Sequence, residues 1–220
     1  MCRQKLMGLS TTATRHTIGY IALAALVVIL SSCSGDDAAD DSSVSFEVDP
    51  ALIGPVYENA EVGFTFQPPV EWEILEGRQR EAVIEALAAE NEADTYLLQV
   101  RDLFFNTDTL SFASVAVVED HNENGLDPAT YANTFAETIG VDQTRNSDTE
   151  IAARMDFTVN GVSVTQFRHL QEDRVTFTLV LAGGEGDVVQ LDYSIPTDAY
   201  QKESPKLESS IGTIETPGAD

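Results

Sequence analysis

The sequence predicts an α+β domain: a largely antiparallel β-sheet with helices packed on it. Three observations carry that reading. The predicted elements run strands, helix, strands, helix, strands, helix, which is not the strict alternation of a doubly wound parallel sheet. Asn160-Gly161 separates two strand-like runs and is a two-residue hairpin signal. Asp127-Pro128 opens a helix that Gly140 ends.

The elements follow in chain order. Gly63–Gln67 alternates and stops at Pro68-Pro69, as a strand does before proline. Val70–Leu75 alternates again. Arg78–Asn91 is rich in Ala, Glu and Leu, with Val83, Ala86 and Leu87 at helical spacing. Thr95–Phe105 and Ser111–Val118 read as strands. The second is apolar on both faces, which marks an interior strand. In the next helix Asp127 caps the free N–H groups, and Tyr131, Phe135, Thr138 and Ile139 form the stripe expected to be buried.

Glu150–Val159 and Val162–Leu170 flank the hairpin turn. A two-residue loop sets Val159 opposite Val162, Phe157 opposite Val164 and Met155 opposite Gln166. One face then holds Met155, Phe157, Val159, Val162 and Val164. The other holds Asp156, Thr158, Ser163 and Thr165. Val175–Leu181, a turn at Gly183–Gly186, and Val188–Ile195 add a second hairpin with Val189, Leu191, Tyr193 and Ile195 on its apolar face. Thr197–Ile211 is helical except around Pro205, with Tyr200, Leu207 and Ile211 apolar.

Ahead of the domain, residues 1–32 hold Arg3, Lys5 and Arg15 and no acid, and Thr17–Ser32 carries no charge. A basic start before a short apolar run is the layout of a secretory signal. The run is shorter than the roughly 20 residues of a spanning helix. It ends in Leu30-Ser31-Ser32-Cys33, which resembles the lipobox of bacterial lipoproteins. That resemblance implies a diacylglycerol thioether on Cys33, cleavage before it and acylation (palmitate or a similar chain) of the new amine. Two or more chains anchor stably, at about 0.8 kcal/mol per buried methylene. The alternative is an uncleaved N-terminal helix with an idle Cys33. Ser34 replaces the Asp typical of inner-membrane retention, which favours the periplasmic face of the outer membrane. Cys33 is the one lipidation site expected, and no disulfide is available to the mature chain.

Residues 33–43 then form the lipidated Cys and an acidic tether with four Asp, which self-repulsion keeps extended. Residues 44–217 form a single domain and 218–220 a tail.

Charge narrows the function. The chain holds 12 Lys+Arg against 37 Asp+Glu. Residues 44–217 keep nine bases against 32 acids, a net charge of −23, so the acidity belongs to the domain itself. Its only lysines are Lys202 and Lys206. Such a surface excludes phosphate-directed nucleic-acid binding and charge-driven docking on anionic lipid. It suits a high-salt exterior, where screening weakens self-repulsion.

Gly63-Phe64-Thr65-Phe66-Gln67-Pro68-Pro69-Val70-Glu71-Trp72 resembles the opening strand, Pro and Trp of the PsbP-like family. Val115–Val118 with Leu126–Ile139 resembles its central strand and following helix, and Asn160-Gly161 its mid-sheet turn. Tyr193-Ser194-Ile195-Pro196 with Tyr200, Leu207 and Ile211 resembles its last strand and closing helix. The resemblance covers residues 57–214. The helical insertion at Gly77–Asp94 and Gly212-Thr213-Ile214 depart from it. It implies an antiparallel sheet sandwiched by helices, an α/β/α sandwich. It also implies a non-enzymatic role: binding or helping to assemble a membrane-associated protein partner.

Other motifs point to ordinary structure. Asp120–Gly125 resembles the start of a calcium loop, but Tyr131 stands where the bidentate Glu belongs, so a polar connecting loop is expected. His121 and His169 lack His partners at metal-ligand spacing, and no zinc site is expected. His169 is assigned to the polar face of its hairpin. No nucleophile elbow, free Cys nucleophile or phosphate loop occurs. Glu71 and Glu73 read as solvated acids on an exposed strand face, and Trp72 as core. The expected sets of catalytic, cofactor and metal residues are therefore empty. The competing reading is an envelope hydrolase or metal-dependent enzyme with an unrecognised site.

Overall fold

The computed structural model of the protein describes residues 46–91, 96–120, 126–141, 152–171 and 173–216. The fold is α+β, as predicted. Two short strands, β1 (Tyr57–Asn59) and β2 (Phe64–Phe66), pair with each other. The other seven make one antiparallel sheet: β3 (Glu73–Ile74), β4 (Tyr96–Asn106), β5 (Ser111–Asp120), β6 (Ala152–Val159), β7 (Val162–Gln171), β8 (Arg174–Ala182) and β9 (Val188–Pro196). The spatial order is β3-β4-β5-β9-β8-β7-β6. The helices are α1 (Gly77–Asn91), α2 (Pro128–Thr138) and α3 (Tyr200–Ile211). After β5 the chain restarts at the far edge, β6, and the meander β6-β7-β8-β9 returns until β9 docks on β5.

The turn chemistry works as the sequence requires. Asn160 and Gly161 both have positive φ, 47° and 80°. That pairing suits the right-handed twist of a hairpin. The register places Val159 opposite Val162, Phe157 opposite Val164 and Met155 opposite Gln166, as predicted. Asp127 caps α2 by accepting from the Ala129 and Thr130 amides at 3.0 Å each.

Helices cover both sheet faces. On one, Leu207, Ile211 and Ile214 join Val189, Leu191, Tyr193 and Ile195, with Trp72 and the aromatics of β1 and β2 closing the layer. On the other, Tyr131, Ala132 and Ala136 pack on Val118, Phe167, Val180 and Val188. Every member of β9 except Asp192 and Pro196 is buried, the burial of a strand with helices on both sides.

Several expectations are corrected. Thr138 is exposed; Ala132 and Ala136 take its place in the stripe, and the Thr138 hydroxyl donates to the Thr134 carbonyl instead. Met155 is 45 % exposed because β6 is an edge strand. Only Glu73 and Ile74 of the Val70–Leu75 run form a strand. Before them Glu71 turns with φ 71°, which swings Trp72 into the core. In α1, Val83 and Ala86 face water. α3 continues through Pro205 without a break. The single helical bond lost there is to the Gln201 carbonyl, on an exposed residue where water can reach it.

Candidate functional site

Cys33 lies outside the described residues, as do His121 and most of the Asp120–Asp127 loop. Of that loop, Asp127 spends its carboxylate on the α2 cap, which holds its pKa below the usual range. Among the described residues no group of three or more His, Cys, Asp or Glu side chains is placed to hold a metal ion. His169 is half-buried beneath Phe135 of α2, with ring centroids 6.4 Å apart. Its Nδ1 is buried and finds no hydrogen-bond partner among the described residues, and desolvation lowers its pKa.

The structure brings together polar groups that sequence periodicity left apart. They lie on the α2 side of the sheet, where β9 alternates Val188, Gln190, Asp192 and Ser194. Asp192 sits mid-sheet, tightly packed but with an edge still open to solvent. Its carboxylate accepts from Thr178 Oγ1 on β8 at 2.6 Å, from Gln190 Nε2 at 2.7 Å, and from Ser114 Oγ on β5 at a long 3.4 Å. Tyr131 of α2 donates to the other end of the Gln190 carboxamide. Burial raises the Asp192 pKa, and the three hydrogen bonds only partly oppose it.

Beside this cluster Arg174 donates to Ser194 Oγ at 2.7 Å and to the Leu110 carbonyl at 2.9 Å. Its guanidinium lies 5.0 Å from the Phe112 ring centroid. It thereby clips the end of β8 to the β4–β5 turn. Polar residues at alternate positions of an otherwise apolar strand are the network's one trace in the sequence, and that trace does not say which strands become neighbours. The Ser114–Asp192 separation exceeds the about 2.6–3.2 Å at which a base activates a hydroxyl. The arrangement suits hydrogen bonding and the fixing of α2 to the sheet.

A second polar group lies on the α3 side. Lys206 Nζ donates to Glu71 Oε2 at 2.8 Å and to Glu203 Oε1 at 3.3 Å. The Trp72 indole N–H donates to Glu203 Oε2 at 3.0 Å. Trp72 is therefore core, as expected. Glu71 is a salt-bridged turn residue rather than part of an acid pair with Glu73 on a strand. Tyr193 extends the polar seam through Ser210 to the Gln67 carbonyl.

The chain enters the domain beside the hairpin tip. Phe46 packs on Phe157, with centroids 5.3 Å apart, and the Asp49 amide donates to Ser209 Oγ. Asn160 Nδ2 donates to the Gly212 and Ile214 carbonyls, tying the turn to the end of α3. Among the described residues no helix is long and apolar enough to cross a membrane.

No family model matches the chain, and no curated protein matches it. Solved structures do resemble it. One is a protein of Bacteroides thetaiotaomicron, with a TM-score of 0.40 and 13 % identity over 76 % of this chain. The match takes in 49 % of that protein, so the chain spans about half its length. Another is LpqN of Mycobacterium tuberculosis, described as involved in cell envelope biogenesis. Its TM-score is 0.41 and its identity 14 %, over 77 % of this chain and 87 % of LpqN.

Proposed function

We propose that the protein is a lipid-anchored, non-enzymatic envelope protein of PsbP-like type. It binds or helps to assemble a membrane-associated protein partner, and lipid on Cys33 holds it at the periplasmic face of the outer membrane. The observation that carries this is Leu30-Ser31-Ser32-Cys33, placed after an uncharged apolar run and before a spacer with four Asp. A domain of net charge −23 gains nothing from anionic headgroups, so an anchor must be hydrophobic. The binding role rests on the resemblance of residues 57–214 to the PsbP-like family.

Two measurements test it. Cells fed labelled palmitate should label the chain, and Cys33→Ser should abolish the label and release the chain to the soluble fraction. Label retained on Cys33→Ser removes the anchor. Cross-linking in intact envelope should then yield one membrane protein in stoichiometric amount. A partner-free domain that hydrolyses an envelope substrate would establish the enzyme reading instead.

A further inference from the structure

Among the described residues, three other than glycine hold a positive φ: Glu71 (71°), Leu110 (54°) and Asn160 (47°). Two of them answer a need of the fold. Asn160 suits the left-handed region and opens the β6–β7 turn, and Glu71 turns Trp72 into the core. Leu110 is different. A bulky side chain at positive φ crowds the following carbonyl, and Gly or Asn is the ordinary residue there. The Leu110 side chain nevertheless faces outward, 59 % exposed.

The turn that carries it, Thr107–Leu110, joins β4 to β5 where Asn106 pairs with Ser111. Its conformation is fixed from both sides. Within the fold, the buried Asn106 Oδ1 accepts from the Asp108 and Thr109 amides at 2.9 and 3.2 Å. Thr109 Oγ1 donates to the buried Ser111 Oγ at 3.0 Å. From β8, Arg174 donates to the Leu110 carbonyl at 2.9 Å, and its guanidinium is braced on Ser194 and the Phe112 ring. The turn is therefore ordered before anything binds, and docking costs it little further freedom. Strain held in place at an exposed, bulky residue is a mark of function rather than of packing.

We propose that Leu110 is the apolar anchor of a protein-docking tip, and that its partner presents an apolar pocket rimmed by Lys or Arg. The proposal rests on the partner-binding reading above and names the surface that does the binding. Charge decides the rim. Asp108 lies in the same turn and Asp173 precedes Arg174, both exposed, on a domain of net charge −23. Such a collar repels anionic headgroups and favours a basic protein surface. Position agrees with this. The β4–β5 turn lies at the opposite end of the strands from the Asn160 turn, beside which the chain enters the domain. The ten residues of β7 separate the two ends by about 30 Å. The end of the sheet that meets the tether is therefore not the end that carries Leu110.

The test uses the full chain in intact cells. A photo-reactive phenylalanine analogue replaces either Thr107, exposed in the same turn, or Val56, exposed near Asn160 and Gly212 at the other end. Irradiation should join position 107 to one protein, with a yield about tenfold or more above that from position 56. Leu110→Gly and Leu110→Asn should each cut the 107 product about tenfold, whereas Leu110→Met should keep it within about twofold. Asp108→Lys should also lower it, about threefold, by repelling the basic rim. Leu110→Gly and Leu110→Asn should melt no more than about 2 °C below wild type, because the left-handed strain leaves with the side chain. The idea fails if both variants melt well below wild type, since Leu110 then serves the fold. It fails if both leave the 107 product unchanged, or if that product is a lipid. A product from position 56 with none from position 107 removes the tip and leaves the binding reading standing. No product from either position removes both.

Discussion

Lys206 and Glu203 stand one turn apart on α3, their Nζ and Oε1 atoms 3.3 Å apart, and Glu203 has no exposed surface at all. A carboxylate in that position depends on its two partners, Lys206 and the Trp72 indole. Lys206→Ala leaves the charge buried and unpaired, a change that typically costs about 3–5 kcal/mol. Lys206→Met with Glu203→Leu should recover most of that loss, because paired removal leaves no stranded charge. Urea unfolding of the three variants checks this. A single variant within 1 kcal/mol of wild type, on the scale expected for exposed pairs, would class the bridge with surface pairs.

The same lysine predicts alkaline behaviour. Burial pulls its pKa down, but the hydrogen bonds to Glu71 and Glu203 outweigh that and hold it above the ordinary value. The folded form therefore keeps the proton better than the unfolded chain. Stability from this group is complete below pH of about 10.5 and is lost as pH rises through the folded-state pKa. An alkaline unfolding midpoint that Lys206→Met moves downward fits; an unmoved midpoint does not.

Asp192 acts at the other end of the scale. Its pKa is raised by burial, so the folded state again holds the proton more tightly. Relative to the unfolded chain its contribution is intact below about pH 4 and declines as pH rises toward the folded-state pKa. Asp192→Asn should flatten that decline and gain on wild type between pH 4 and pH 8. Denaturation midpoints at both pH values measure it, and parallel curves would show that the ionised form carries no burial cost.

At the hairpin tip, Gly161 has open space where a Cβ would go, so Gly161→Ala carries only the positive-φ strain, about 1–2 kcal/mol. Asn160→Ala adds two lost hydrogen bonds to the α3 end, each about 1 kcal/mol. It should therefore destabilise the domain more than Gly161→Ala, and thermal melts of the pair give the order.

The domain charge of −23 predicts strong salt stabilisation. Raising ionic strength from about 0.15 M to 1 M shortens the Debye length from about 8 Å to 3 Å. The unfolding midpoint should climb throughout, and a flat response would show that acids and bases are already locally balanced.

Much of the fold was legible because short-range chemistry specified it. Asn160-Gly161 sets a register, Asp127-Pro128 starts a helix, and alternation in Val189–Ile195 points one face inward. The polar clusters were not legible, because they depend on which strands become neighbours. Gln190 and Asp192 alternate with apolar residues as solvent-facing positions do. They are enclosed only because β9 lies between β5 and β8 with α2 above. Glu203 and Lys206 look like an ordinary surface pair until Glu71 turns at positive φ and Trp72 folds over them. Thr138 was misplaced because a stripe built on Tyr131, Phe135 and Ile139 does not say which flank the sheet takes.

The pairing of β5 with β9 sets an order of events during synthesis. Val118 meets Val188, so the joint that closes the seven-stranded sheet spans about 70 residues. A chain emerging from its N-terminus can form the β4–β5 and β6–β7 hairpins early, but each remains a ribbon with one apolar face uncovered. Only when the stretch from Val188 onward is released can the central strand join the halves and α3 cover them. Until then the polypeptide is two separate ribbons rather than one sheet.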